Sequence, residues 1–317
     1  MFHYRGPANW SRDLLRGHDP IGLGAKEAVG RRRNPFLAVR EGALVRSVEG
    51  MNRALRSPGW AIVPAPSFKK RPLAEAAHAK PDRARLDHRL KAILFDFGGT
   101  LDADGVPWRE RFHALYRDEG LDLGAEAFAE RFHHADDGMV GRLGPDVGFA
   151  RTIELLVKRL ERYLPAGRIG RGERVARRFH HEAEICLGRN RSCLERLARR
   201  FKLGIVSNFY GNLAAVAEET GIAGSFGSIV DSSVVGAVKP SPTIFRLALD
   251  GLGVTAADSL YVGDSLARDH AGAEATGITF VWVAAPDRAA PEGAGVRLRV
   301  SCVTALPDLL DSLDDAA

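Results

Sequence analysis

Lys91-Ala-Ile-Leu-Phe95-Asp96-Phe-Gly98-Gly99-Thr100-Leu101 decides how this chain folds. Ala92 to Phe95 form a short apolar run that ends on a carboxylate. Two glycines then break the run into a loop. A continuous apolar run of this length is the pattern of a strand buried on both faces, as in a parallel sheet. Three more runs read the same way: Leu203 to Val206, ending at Ser207; Ser259 to Val262, ending at Gly263-Asp264; and Thr279 to Val283. Helical periodicity lies between them, with Ile244, Phe245, Ala248, Leu249 and Leu252 on one face. Strands alternating with helices predict an α/β fold with a doubly wound, Rossmann-like parallel sheet. Ligands of such sheets bind beyond the carboxyl ends of the strands. Asp96, Ser207 and Asp264 all fall at those ends.

Residues 106–200 hold no convincing strand. Phe112, Leu115 and Tyr116 share a helix face, as do Phe128 and Phe132, and as do Ile153, Leu156, Val157 and Leu160. Val175, Phe179 and Cys186 follow more loosely. This predicts a helical domain inserted after the first strand, standing over the sheet's carboxyl edge as a lid. The expected division is therefore an α/β core of residues 89–105 and 201–317, a helical cap of 106–200, and an extension of 1–88. A closing amphipathic helix is expected from Leu306 to Leu313.

The chain has 317 residues, is 45% hydrophobic and carries a net charge of +5. That charge is unevenly placed. Residues 1–90 hold 18 Lys+Arg against 8 Asp+Glu, a net of +10, and the remainder holds 27 against 32, a net of −5. The basic, proline-interrupted extension predicts a flexible arm. Its basic clusters lack the interleaved aromatics of a stacking surface, which argues against a nucleic-acid partner. No apolar run has the length of a membrane span, and the first thirty residues lack the apolar core of a secretory signal. Three cysteines, an odd and sparse set, fit a reducing compartment and a cytoplasmic location. Nothing in the chain fixes its oligomeric state.

The strand-end residues form a chemical set. Asp96 is a carboxylate, and Ser207-Asn208 offers a hydroxyl and an amide. Lys239 precedes a helix that Pro242 can start. Asp264 and Asp269 add two carboxylates, and Gly98 and Gly99 let backbone approach a ligand. Hard oxygen ligands at this density suit Mg²⁺. A carboxylate nucleophile with a lysine, a hydroxyl and Mg²⁺ suits phosphoryl transfer through an aspartyl phosphate.

In these residues the chain resembles the haloacid dehalogenase (HAD)-like hydrolase superfamily over roughly 91–313. Four motifs stand in order: Asp96-Phe-Gly-Gly-Thr-Leu101, Ile205-Val-Ser207-Asn208, Lys239-Pro-Ser-Pro-Thr-Ile-Phe245 and Val262-Gly-Asp264-Ser-Leu-Ala-Arg-Asp269. The insertion at 106–200 resembles that family's helical cap. The resemblance implies Asp96 as nucleophile, Ser207 and Thr100 holding the transferring group with Gly99 and Asn208 beside it, and Lys239 bracing the phosphate. It implies a Mg²⁺ site of Asp96, Asp264, the residue 98 carbonyl and Asp269, the last acting through Lys239 or a metal-bound water. The implied function is a phosphatase acting on a small phosphorylated molecule.

Position 98 departs from the pattern. Phosphatases of this family usually carry a second aspartate there, which protonates the leaving group and then activates water. General acid–base catalysis contributes about 10²–10⁴-fold. Hydrolysis of an alkyl phosphate then needs an acid from elsewhere: Asp102 or Asp104 in the same loop, a cap residue, or the substrate itself. Two alternatives stay open. One is an impaired fold member that binds a phosphorylated ligand or partner. The other is a dehalogenase, although Gly98 does not select that branch. The remaining features read as structural. His133-His134 and His180-His181 are adjacent on helices and do not face one ligand. Cys186 and Cys193 lack metal-ligand spacing, and the cap arginines are expected to be mostly solvated.

Overall fold

The structure, a computed structural model, describes residues 90–314. The extension expected over 1–88 lies outside the described residues. Six strands form one all-parallel sheet: β1 (Ala92–Phe95), β2 (Lys202–Ser207), β3 (Ser228–Asp231), β4 (Ser259–Gly263), β5 (Thr279–Val283) and β6 (Leu298–Val300). Their order across the sheet is β3-β2-β1-β4-β5-β6. The four predicted strands are all present. β3 and β6 were not predicted, since neither is an uninterrupted apolar run. Ser-Ile-Val-Asp and Leu-Arg-Val are short and mixed, and they gain their state from pairing with β2 and β5.

β1 and β4 are buried throughout, as strands covered on both faces must be. Successive side chains alternate between two cores. Ile93 and Phe95 enter the larger one, together with the helices inserted between β1 and β2; Ala92 and Leu94 enter the smaller one. The helix covering that smaller core, over Pro242–Leu252, follows its sequence signals. Pro242 stands in the first turn, the Ser241 hydroxyl caps the Thr243 N–H, and Gly253 ends the helix at φ 62. Its five predicted apolar positions are all buried, and the four larger ones, Ile244, Phe245, Leu249 and Leu252, contribute about 1.5–3 kcal/mol each.

Four helices fill the segment between β1 and β2: α1 (Trp108–Asp118), α2 (Ala125–Asp137), α3 (Phe149–Leu160) and α4 (Arg171–Ala198). Their predicted apolar faces are the buried ones. An aromatic cluster ties them to the sheet's loops. Phe112 of α1 stacks on Phe179 of α4 at 4.1 Å. Trp108 meets Phe149 of α3 and Phe209, which follows β2. Of the cap arginines expected to be mostly solvated, Arg162, Arg168, Arg177 and Arg178 are exposed, while Arg171 is buried and pairs with Glu161, and the half-buried Arg174 pairs with Glu119. The closing helix runs over Leu306–Asp314.

Candidate active site

β1 lies in the middle of the sheet, with β2 and β3 on one side and β4, β5 and β6 on the other. The chain's direction of winding reverses there, so a crevice opens beyond its carboxyl end. Register brings three polar residues to that point. Phe95 pairs with Ile205 on one side and with Val262 on the other. Asp96, Ser207 and Asp264 therefore emerge side by side. All three border a cavity of about 600 Å³, together with Gly98, Asn208 and Lys239.

Asp96 is buried, and one of its oxygens is fixed twice. The Ser207 hydroxyl donates to Asp96 Oδ1 at 2.8 Å, and Lys239 Nζ lies 2.7 Å from the same atom. Lys239 Nζ also donates to Asp269 Oδ1 at 2.7 Å and to the Tyr261 hydroxyl at 3.0 Å. All three ammonium donors are thus used. Burial alone would pull this lysine's pKa down; Asp269 and Asp96 outweigh it and hold the pKa above the ordinary value. Tyr261 donates in turn to the Val206 carbonyl at 2.9 Å. It is a residue that sequence reasoning missed. The available signal was a hydroxyl inside a fully buried strand, which needs a polar partner.

Asp269 sits within the group but is already occupied. Besides Lys239, its Oδ2 accepts the Ser265 N–H at 2.9 Å. Asp264 is different: its Oδ2 is buried and has no hydrogen-bond partner. Burial first, then the neighbouring charges of Asp269 and Asp96, push the Asp264 carboxyl well above the usual range. Asp96, Asp264 and Asp269 can each bring one ligand atom within 4.8 Å of the others'. Three buried carboxylates face one buried ammonium, an excess of negative charge that a hard cation would offset. The orphaned Asp264 oxygen fits a divalent metal.

Other predicted residues take supporting places. Thr100 is fully buried, does not border the cavity, and donates to Asp264 Oδ1 at 3.4 Å. Gly99 does not border it either: its N–H is spent on Asp102 Oδ1 at 2.7 Å. Its φ is +93, and a Cβ there would stand 2.6 Å from Asp264 Oδ2. Only glycine allows that turn and that approach. Both residues, expected at the substrate, shape the floor under Asp264. Asn208, expected beside the transferring group, borders the cavity next to Ser207, and its amide also bonds to the Lys239 backbone. It accepts the Lys239 N–H at 2.7 Å and donates to the Lys239 carbonyl at 3.2 Å.

Gly98 has an unforeseen neighbour. A Cβ at residue 98 would come 3.2 Å from Trp108 Nε1. The indole covers the place where the family's second aspartate would begin, and it is pinned there by donating to Asp102 Oδ2 at 2.7 Å. Asp102 is not free to serve as an acid, since it also receives Arg111. Asp104 is paired with Arg189. We expect Gly98→Asp to destabilise the protein by about 1–3 kcal/mol through crowding the indole. It would be read as a lower urea midpoint at constant slope. An unchanged midpoint would show that Trp108 yields freely.

A six-stranded parallel sheet with this acidic centre at its switch point defines a class that the comparisons identify. A family model described as "Hydrolase: haloacid dehalogenase-like hydrolase" matches residues 90–277, more than half of the chain. The chain belongs to the haloacid dehalogenase-like hydrolase family. It is 34% identical over 116 residues to haloacid dehalogenase-like hydrolase domain-containing protein 3 of Bos taurus, covering 37% of this chain and 46% of that protein. It is 40% identical over 63 residues to a phosphoserine phosphatase of Thermus thermophilus, 20% of this chain and 25% of that one. The chain thus spans less than half the length of these curated relatives. Among solved structures, a dehalogenase with an intermediate complex is 21% identical and covers 70% of this chain and 97% of its own, with a TM-score of 0.50. That likeness concerns the fold. Among the described residues, no helix is long and apolar enough to cross a membrane.

Proposed function

We propose that the protein is a Mg²⁺-dependent phosphatase of small phosphorylated molecules that works through a phosphorylated Asp96. The observation carrying this reading is the double hold on Asp96 Oδ1 by Ser207 and Lys239, beside an Asp264 oxygen with no partner. With Oδ1 restrained, Oδ2 is the attacking atom. Ser207 and Lys239 hold a hydroxyl dipole and a positive charge beside the atoms where charge builds on the transferring group. Asp96, Asp264 and the Gly98 carbonyl would hold the Mg²⁺, and Asp269 keeps Lys239 charged and in place. When bound, the cation supplies electrostatic stabilisation of the phosphoryl oxygens. The helices inserted between β1 and β2 act as the cap over the crevice.

Two measurements test this. Mg²⁺ at 100 times its Kd should stabilise the protein by about 2.7 kcal/mol, a rise in Tm of roughly 5–10 °C. Asp264→Asn should abolish that rise while leaving the metal-free protein at least as stable, because an unpaired buried charge is removed. EDTA should stop phosphate release from acetyl phosphate. Turnover that survives EDTA and releases halide from a haloacid would replace this reading with metal-free dehalogenation. The indole over Gly98 favours a second reading, a site that takes up phosphate without releasing it. Its signature would be a stoichiometric phospho-Asp96 that persists in the presence of Mg²⁺ and water.

A further inference from the structure

The proposed reaction lacks a proton donor at residue 98, and the loop carboxylates Asp102 and Asp104 are bound to arginines. We propose that Asp136, carried in from the last turn of α2, is the general acid–base of this site and thereby extends its substrates to alkyl phosphates.

Asp136 borders the same cavity as Asp96. One side chain relates the two carboxylates: Arg268, in the loop after Asp264, feels the charge of Asp96 and of Asp136. Of the other cavity-lining acids, Glu110 is tied to Arg288 at 3.2 Å, and Asp264 belongs to the acidic cluster below. Asp136 instead receives the hydroxyl of Tyr210, the third residue after Ser207. That neutral donor orients one oxygen, in the way a base is oriented by a third group. Burial is the main cause that raises the Asp136 carboxyl above its ordinary range; Tyr210 and Arg268 pull the other way. A carboxyl raised in this way holds its proton to higher pH than an ordinary aspartate, the direction a general acid needs. Asp137 and His133 on its own helix, Arg268 and Tyr210 are the charged and titratable groups acting on it.

The step rests on the phospho-Asp96 reading. Asp96 Oδ2 forms a bond to phosphorus while the bond from phosphorus to the leaving oxygen breaks. The electron pair left on that oxygen takes the proton of Asp136. Water then bonds to phosphorus, gives a proton to the Asp136 carboxylate, and Asp96 departs as a carboxylate. One water is consumed, and one alcohol and one phosphate are produced.

The test compares glycerol phosphate, whose alkoxide needs the proton, with acetyl phosphate, whose leaving group does not. Full-length protein with Mg²⁺ is assayed on both. In a single turnover, Asp136→Asn should slow phosphorylation of Asp96 by glycerol phosphate about 10²–10⁴-fold and by acetyl phosphate less than about tenfold, while the later hydrolysis of phospho-Asp96, common to both donors, slows equally. Tyr210→Phe should lower the glycerol phosphate rate selectively but less, and Asp136→Glu should recover part of the loss. A purely structural defect would depress both substrates alike. Equal losses of phosphorylation rate with the two donors, no loss with either, or a larger selective loss for His133→Asn would overturn the assignment. A wild-type protein that acquires no label on Asp96 and hydrolyses neither substrate would remove the phosphatase reading itself and Asp136 with it. Wild-type phosphorylation of Asp96 by both donors, unchanged in relative rate by Asp136→Asn, would remove Asp136 alone.

Discussion

Asp96→Asn should lower phosphate release by about 10⁴–10⁶-fold, the scale of loss when a covalent nucleophile is removed, and should do so in a folded protein. The amide matches the carboxyl in volume. Its oxygen can still accept the Ser207 and Lys239 donors now held by Oδ1, which leaves the NH₂ group where Oδ2 stood. An amide nitrogen is not a nucleophile, so no phosphoryl bond forms there. The variant should therefore incorporate no label from acetyl phosphate, while its circular dichroism and urea midpoint stay close to those of the wild type. Two results would separate chemistry from binding. Lost turnover with retained inorganic phosphate binding fits a nucleophile. Activity retained to within tenfold would mean that Asp96 only braces Lys239, and the proposed pathway would fall.

The division between what the sequence disclosed and what it hid follows from the range of the forces involved. β1, β2, β4 and β5 were legible because a strand covered on both faces must be apolar throughout. β3 and β6 were not, because their state comes from pairing with neighbours already placed. Asp96, Ser207, Lys239 and Asp264 were legible as strand-end or helix-start residues, since topology alone brings such residues together. Gly99, Thr100 and Asn208 sit in those same loops, and their proximity was read correctly. Their hydrogen bonds point inward to Asp102, Asp264 and Lys239, and spacing does not encode direction. Trp108, Asp136 and Tyr210 were invisible for another reason. Trp108 and Asp136 meet the site through the packing of the inserted helices, and helical periodicity reports which face is buried but not what that face touches; Tyr210, in the loop after β2, takes part by reaching Asp136.

The same helices supply the fold's most exacting polar contact, and disturbing it should have the largest effect on stability. Asp102 is fully buried and accepts three donors from three places: the Gly99 N–H on Oδ1, and Trp108 Nε1 and Arg111 Nη1 on Oδ2, at 2.7, 2.7 and 2.8 Å. Arg111 is itself nearly buried, lies 3.9 Å from the centre of the Phe179 ring and reaches the Phe179 carbonyl at 3.3 Å. Asp102 thus joins the loop after β1 to α1, and through Arg111 to α4. In Asp102→Asn, either orientation of the amide sets its NH₂ against a donor, Gly99 in one case and Trp108 with Arg111 in the other. The guanidinium is also left as a buried charge without its counter-ion. Breaking a buried pair in this way costs about 3–5 kcal/mol, more than replacing both partners with apolar groups. Arg111→Met in the Asp102→Asn background should therefore recover part of the loss, so the two changes combine to less than their sum. Urea unfolding of the two single variants and the double variant measures this directly. A loss below about 1 kcal/mol for Asp102→Asn, the range of an exposed pair, would mean that water reaches the loop. Trp108 would then be free to leave Gly98.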